Sequence, residues 1–337
     1  MNILLTSVGR RTYLINYFKK ALNNKGKVFA SNSIMTYTMS QADEYVITPQ
    51  IYDAQYIEFL TEYCIKKNIS AIVPLFDIDL PILSSNFEKF KSIGVKLVLS
   101  SYETIKICND KWLTYHFIKK IGLNTIPSFL SIEDTETALL KKEITFPLIV
   151  KPRWGMGSIG IYEAENIDEL RIFYAKLSRE IFSTYLRFES KENEEKSIII
   201  QQKIEGREFG LDIINDLNQN YVTTLAKHKI AMRAGETDIA QIVDKKPFES
   251  LAILISENLK HIANLDVDCF VTQDNKIYIL EMNCRFGGQY PFSHLAGVDL
   301  PLQIVRWLEG SGTQQNLITP KIGVKSCKDL VPCIIEF

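Results

Sequence analysis

Short apolar runs and amphipathic stretches alternate through the first hundred residues. Ile3–Ser7, Lys27–Ser31, Ala71–Leu75 and Lys96–Leu99 have strand length, and Tyr13–Asn23, Ala54–Lys67 and Leu80–Ile93 between them have helical spacing. Helices of that length between strands make parallel crossovers, so the pattern predicts a doubly wound parallel sheet with helices on both faces. Ligands of such sheets bind beyond the carboxyl ends of the strands. Two loops fall at that edge, Ser7-Val8-Gly9-Arg10-Arg11 and Phe76-Asp77-Ile78-Asp79. Arg10 and Arg11 suit an anionic substrate and equally a solvated turn; Asp77 and Asp79 suit a pocket wall and equally a helix cap. The single glycine lacks the GxGxxG spacing, so no dinucleotide site is expected.

A connecting helix follows in SSYETIKICNDKW, and a second, α+β region begins near the break at Asn124–Ser128. It continues through ITFPLIVKP, a glycine-rich turn, and a helix from Ile167 to about Arg187; FESKENEEKS over 188–197 reads as a solvated loop. With 337 residues, 46% of them hydrophobic, two or three structural units are expected. Thirty-nine basic against 40 acidic residues argue against nucleic acid, whose binders accumulate Lys and Arg. The six cysteines have no zinc spacing and read as reduced thiols. No secretory signal and no run of about 20 apolar residues is present, so a cytoplasmic protein without a membrane span is expected.

Three later constellations carry chemistry. Leu148-Ile149-Val150-Lys151-Pro152 delivers a lysine on a strand just before Gly155-Met156-Gly157-Ser158-Ile159-Gly160, whose backbone can curl its N–H groups around a phosphate. The lysine precedes the glycines, so this is not a Walker loop. Ile198–Ile204 is an apolar strand ending in Glu205-Gly206-Arg207-Glu208; its backbone can meet a purine edge and a following carboxylate a ribose, although taken alone the segment reads first as a buried strand and a hairpin. In DVDCFVTQDNKIYILEMNCRFGG the turn Gln273–Lys276 joins two strands, which brings Asp268 near Glu281. Glu281, Asn283 and Arg285 share one face by the two-residue repeat, and hard oxygens beside a guanidinium suit Mg²⁺ and phosphate. Between these, His228–Asp238 reads as a mobile loop whose Lys229 and Arg233 could close on an anion.

The ordered set Lys111 in NDKW, KPRWGMGSIGI, QQKIEGREFGLD and YILEMNCRFGG resembles the ATP-grasp ligases over about residues 1–310, in particular the branch similar to the carbamoyl-phosphate synthetase large subunit. The resemblance implies a pre-ATP-grasp Rossmann-like domain (1–108), an ATP-grasp domain of two subdomains (109–310, lid about 125–203) and a C-terminal extension (311–337). It implies ATP with Mg²⁺, or Mn²⁺ as an alternative ion. Lys111 and Lys151 would meet the phosphates under a flap of Gly155, Gly157, Ser158 and Gly160. Gln202, Lys203 and Ile204 would line the adenine and Glu208 the ribose. Asp268, Glu281 and Asn283 would bind the metal, and Arg285 would stabilise the transferring phosphoryl group. Gln202 stands where many members carry Glu, and Asp268 where they carry Gln or Glu.

The implied activity is ligation of a small-molecule carboxylate to an amine through an acyl phosphate, which needs no protein nucleophile. A carbamoyl-phosphate-forming or carboxyphosphate-forming subunit and a non-catalytic nucleotide-binding module stay open beside it. Chains of this size in the family are often dimers, so a homodimer is one expected assembly.

Overall fold

The computed structural model describes residues 1–157 and 159–335. Its first sheet holds β1 (Ile3–Thr6), β2 (Val28–Asn32), β3 (Glu44–Ile47), β4 (Ala71–Pro74) and β5 (Lys96–Leu97), all parallel, in the order β3-β2-β1-β4-β5. Alternate residues of β1 enter different cores. Ile3 and Leu5 pack with Leu14, Ile15 and Phe18 of helix Thr12–Leu22, whereas Leu4 packs with Tyr56 and Leu60 of helix Tyr56–Lys66. Both faces are therefore covered, as the alternation predicts.

Two details differ from the sequence expectation. Strand β3 is an addition to the predicted set, because an edge strand with Tyr45 and Ile47 exposed lacks a continuous apolar run. The stretch Leu80–Ile93 forms two helices, Asp79–Ser85 and Phe87–Ser92, parted at Asn86, whose amide returns to the Ile82 carbonyl at 2.9 Å.

A smaller sheet follows, with β6 (Ser128–Phe129), β7 (Leu148–Pro152), β8 (Tyr162–Ala164) and β9 (Ile198–Gln202) in the order β6-β9-β7-β8. Helix Ile167–Ser183 covers it and stops where Thr184 turns extended, at φ −114° and ψ 179°. Residues 188–197 are not simply a solvated loop: Arg187–Ser190 is a helical turn, Ser190 is buried, and Phe188 stacks on Tyr52 of the first unit with centroids 4.2 Å apart.

The third sheet holds β10 (Arg207–Asn215), β11 (Tyr221–Arg233), β12 (Glu236–Val243), β13 (Asn264–Val271), β14 (Ile277–Asn283) and β15 (Lys325–Cys327) in the order β14-β13-β10-β11-β12-β15, every pairing antiparallel. Its apolar face, with Leu211, Ile213, Leu265 and Val267, shares a core with Leu4 and Ile72 of the first sheet. Helix Leu300–Leu308 packs on helix Thr12–Leu22 through the other core. These contacts set the carboxyl edge of the parallel sheet against the end of β14. No helix among the described residues is long and apolar enough to cross a membrane.

Beneath the open face of this sheet lies an ion pair with no exposure, Lys227 on β11 and Asp212 on β10. Ser293 Oγ donates to Asp212 Oδ2 at 2.7 Å, and Lys227 Nζ donates to Ser293 Oγ at 3.1 Å. Removing one partner strands a buried charge. Lys227→Met is expected to lower the unfolding free energy in urea by about 3–5 kcal/mol, and Lys227→Met with Asp212→Leu to recover part of the loss.

Candidate active site

The third sheet segregates its faces by the two-residue repeat. Phe209, Leu211 and Ile213 of β10 and Val267 and Cys269 of β13 point into the core. The residues that alternate with them, and those paired across from them, form the other face: Glu208, Gly210 and Asp212, Lys227 and Lys229, Asp266 and Asp268, Glu281 and Asn283. On that face Asp268 pairs with Glu281 and Asp266 with Asn283, the hairpin register that the sequence implies. A register shift after Asp268 separates this polar end from the apolar remainder of the hairpin.

Two adjoining cavities of about 240 and 260 Å³ open on this face and share Gly155, Met156, Gly157, Gly235, Asp268 and Glu281. Lys111, Lys151 and Glu208 complete the first, where Lys111 Nζ donates to the Gly155 carbonyl at 2.6 Å. Lys151 is buried. Burial, with the like charge of Lys111 next, pushes its ammonium down to about 7 against the pull of Glu281. The second cavity is bounded by Asn283, Arg285 and Gln289, and by Arg11 and Asp77 from the two loops at the edge of the parallel sheet. Arg285 Nε and Nη2 both reach Asp77 Oδ2, at 3.0 and 2.8 Å, while Nη1 reaches Asp266 at 3.3 Å. A wider groove of about 740 Å³ near Trp112, Leu130 and Tyr174 lies on the small sheet and holds none of these buried charges.

Crowded carboxylates dominate the electrostatics. Burial, opposed by Lys229 and reinforced by Asp266 and Glu281, lifts Asp268 to about 7. Burial lifts Asp266 as well, against Arg285. Glu281 ends below its ordinary value, because Lys111, Lys151, Lys229 and Arg285 outweigh its burial. Among the described residues no three His, Cys, Asp or Glu side chains are grouped to hold a metal unaided. Two carboxylates and an amide on one face nevertheless fit a hard divalent cation that completes its shell with water and phosphate oxygens. A cation there would also relieve the repulsion that raises Asp268.

The sequence-derived candidates fall into three groups. Lys111, Lys151, Gly155, Gly157, Glu208, Lys229, Asp268, Glu281, Asn283 and Arg285 surround the paired cavities. Lys229, expected on a mobile loop, instead lies buried in β11 and joins Glu208 at 2.8 Å to Asp268 at 2.7 Å; the segment is a long hairpin turning at Ala234-Gly235. Others lie outside the cavities. Arg233 is at the exposed tip, paired with Asp238 at 2.6 Å. Gln202 bonds to Thr145 N at 2.9 Å, Lys203 pairs with Glu163 at 2.5 Å, and Ile204 is half-buried in the linker after β9. Gly160 turns at φ +68° against Leu177. Ser158 lies outside the described residues.

Four further positions, to which the motifs assign no metal or nucleotide role, shape the site. Asp266 precedes Asp268 by two residues, so the same-face repeat was the available signal. Gln289 bridges Asp266 and Asp268, donating at 2.5 and 3.0 Å. Asp110 caps helix Lys111–Lys120 and takes two bonds from Arg153, at 2.8 and 2.6 Å, which ties Lys111 to the glycine turn. That clamp joins residues 43 positions apart and has no local signature.

Comparison with known proteins shows the family. Residues 108–289, more than half of the chain, match the family model described as ATP-grasp domain, and residues 3–98 match that described as PylC-like, N-terminal domain. The chain therefore belongs to the ATP-grasp family. A curated relative, carbamoyl-phosphate synthase of Methanobrevibacter smithii, is 21% identical over 90% of this chain and 80% of its own length. The biotin carboxylase domain of Hydrogenobacter thermophilus 2-oxoglutarate carboxylase, solved with MgADP and bicarbonate, is similar with a TM-score of 0.75 at 16% identity, covering 96% of this chain and 73% of that one. An L-amino acid ligase from Bacillus licheniformis is similar with a TM-score of 0.74 at 17% identity, covering 98% and 81%.

The packing of the site is testable without a ligand. A Cβ on Gly287 would lie 2.1 Å from the Asp266 carboxylate carbon, whereas one on Gly288 would meet only Lys328 Nζ, at 3.6 Å. Gly287→Ala is expected to lower stability by about 1–3 kcal/mol in urea unfolding. Gly288→Ala should stay within about 0.5 kcal/mol of the parent.

Proposed function

We propose that this ATP-grasp chain is an ATP-dependent ligase that activates a small-molecule carboxylate as an acyl phosphate and joins it to an amine. The observation that carries this reading is the meeting of two lysines and a glycine turn with the Asp268–Glu281–Asn283 face across adjoining cavities. In the first cavity Lys111 and Lys151 bind phosphate oxygens beneath Gly155–Gly157. Glu208 takes the ribose, with the adenine toward the Gln202–Ile204 linker. Asp268, Glu281 and Asn283 hold Mg²⁺ or Mn²⁺, which when bound neutralises phosphate charge. No role is proposed for Arg233.

The chemistry needs charge placement rather than a nucleophilic side chain. A substrate carboxylate oxygen bonds to the γ-phosphorus as the bond to ADP breaks. The amine nitrogen then bonds to the acyl carbon, phosphate leaves, and the nitrogen loses its extra proton. Arg285, fixed by Asp77 and Asp266, offers its guanidinium to the charge that develops between the cavities. Lys229 lines the second cavity and can hold the acyl phosphate oxygen once released from Glu208. The reading places the protein in the cytoplasm, where ATP and Mg²⁺ are plentiful, and is compatible with a homodimer.

The test is ADP release from Mg–ATP with a panel of carboxylates and amines, including bicarbonate with ammonia, the pair suggested by the name of the Methanobrevibacter relative. A carboxylate–amine pair should release ADP and phosphate, and Glu281→Ala and Lys151→Met should each lower kcat/KM by about 10²–10³-fold. ATP binding with no ADP from any mixture would overturn the reading, and turnover with bicarbonate and ammonia alone would replace it with carbamoyl phosphate formation.

Lys151 and Asp268 give opposite pH signatures. Phosphate favours the Lys151 ammonium, so binding takes up a proton above about pH 7, and the affinity for metal-free ADP should fall as pH rises through that value. A metal needs the Asp268 carboxylate, so binding releases a proton below about pH 7, and the gain from added Mg²⁺ should grow as pH rises. Calorimetric titrations at several pH values should show both slopes. Lys151→Arg should flatten the first and Asp268→Asn the second.

A further inference from the structure

The second cavity is lined by two charged groups of opposite sign whose hydrogen-bonding capacity the protein leaves partly or wholly unused. Asp77 is buried, and its Oδ2 takes both bonds from Arg285, yet its Oδ1 is buried with no partner. The Arg11 guanidinium lines the same cavity and makes no ion pair or hydrogen bond among the described residues. Glu236, a further acidic group on this wall, is already paired with Lys328 at 3.2 Å. A buried carboxylate oxygen without a donor is costly and rare in folded proteins.

Both groups are held in place by the structure around them. Arg11 follows a turn in which Ser7 and Gly9 both have φ of +53°. That turn is tied down by Asp79, which is fully buried and accepts from Thr6, from Ser7 at 3.1 Å and from Tyr56 at 2.7 Å. Asp79 is thus an anchor, although it shares a loop with Asp77. Asp77 is steadied by its carbonyl, which accepts from Asn109 at 2.8 Å, and by Arg285.

We propose that Arg11 and Asp77 select the amine substrate, and that this substrate is an amino acid: its ammonium or amine binds Asp77 Oδ1 and its carboxylate binds Arg11. The inference rests on the ligase reading above. Asp77 Oδ1 accepts hydrogen bonds and repels anions, so it favours an N–H group over the carboxylate that is to be phosphorylated. Through Oδ2 it is bonded to Arg285, so a nitrogen held there lies beside the group assigned to the phosphoryl charge. Arg11 supplies the anion contact that a plain alkylamine could not use. The cavity, about 260 Å³, falls below the ~300–1,000 Å³ of drug-sized sites, in keeping with a metabolite of amino-acid size.

The full chain saturated with Mg–ADP is tested by thermal shift and calorimetry against the L- and D-amino acids, each beside its decarboxylated amine and its N-acetyl derivative. At least one amino acid should bind, and removal of either its carboxylate or its free amine should weaken binding about 10- to 100-fold, the size of losing one charge-assisted contact. Arg11→Met should weaken the amino acid by the same factor, leave its decarboxylated amine unchanged, and bind Mg–ADP like the parent. The inference is overturned if a decarboxylated amine or an N-acetyl derivative binds as tightly as its amino acid, if Arg11→Met retains full affinity, or if Mg–ADP binds and no amino acid does. Failure of Mg–ADP itself to bind removes the nucleotide site, and the ligase reading with it.

Discussion

Arg285 is the joint on which the site depends. It leaves the third sheet just past β14, and its guanidinium is gripped by Asp266 from the neighbouring strand and by Asp77 from the parallel sheet. Residues 208 positions apart are thereby held within hydrogen-bond distance. The apolar cores bring the two sheets together without direction, whereas this clamp sets which loop faces which strand end. Its three charges are almost wholly buried, so each depends on the others: loss of any one strands the remainder in a medium that solvates charge poorly. The geometry of both cavities inherits that rigidity.

The same constraint explains why the carboxylates tolerate their crowding. Asp266, Asp268 and Glu281 share one sheet face, an arrangement that like-charge repulsion opposes. Lys111, Lys151, Lys229 and Arg285 surround them and hold Glu281 ionised, but do not prevent burial from raising Asp268. Cations on the protein therefore offset only part of the repulsion. In the proposed reading, the lysines that face the glycine turn would attract phosphate and the carboxylates a metal ion. Each charge type is kept within reach of its complement and denied a full set of partners by the fold.

The parts legible in the sequence were those with a local period. Alternating strands and helices announced the parallel sheet, and the two-residue repeat placed Glu281 and Asn283 on one face, whereas Arg285 lies past the end of β14 and reaches the site from the bend after it. The turn at Gln273–Lys276 implied the register that pairs Asp268 with Glu281. Strand β3 lacked the period because an edge needs no continuous apolar run, and Lys229 reads as a loop residue because charges interrupt the apolar pattern of β11. Those charges belong to the cleft face of a strand, which polarity alone does not distinguish from solvent. The clamp of Arg153 on Asp110, the grip of Asp77 on Arg285 and the seat of Gln289 over Gly210 join distant segments and leave no trace in spacing. Gly210 itself is understood only from the fold, where a Cβ would lie 1.4 Å from Gln289 Oε1.

Lys229 shows how this arrangement can respond to a nucleotide. Its ammonium bridges Glu208 and Asp268, the residues proposed to hold the ribose and the metal. Lys229 would lose hold of Asp268 if that carboxylate took a cation, and of Glu208 if that carboxylate accepted from a ribose hydroxyl. The lysine would then be freed at the wall of the second cavity, next to where the acyl phosphate would form. Burial opposes an ammonium that lacks an anion, so the freed group gains most from a phosphate or carboxylate oxygen at that spot. One buried cation would thus hold the empty site together and, once displaced, favour the charged intermediate over an empty second cavity.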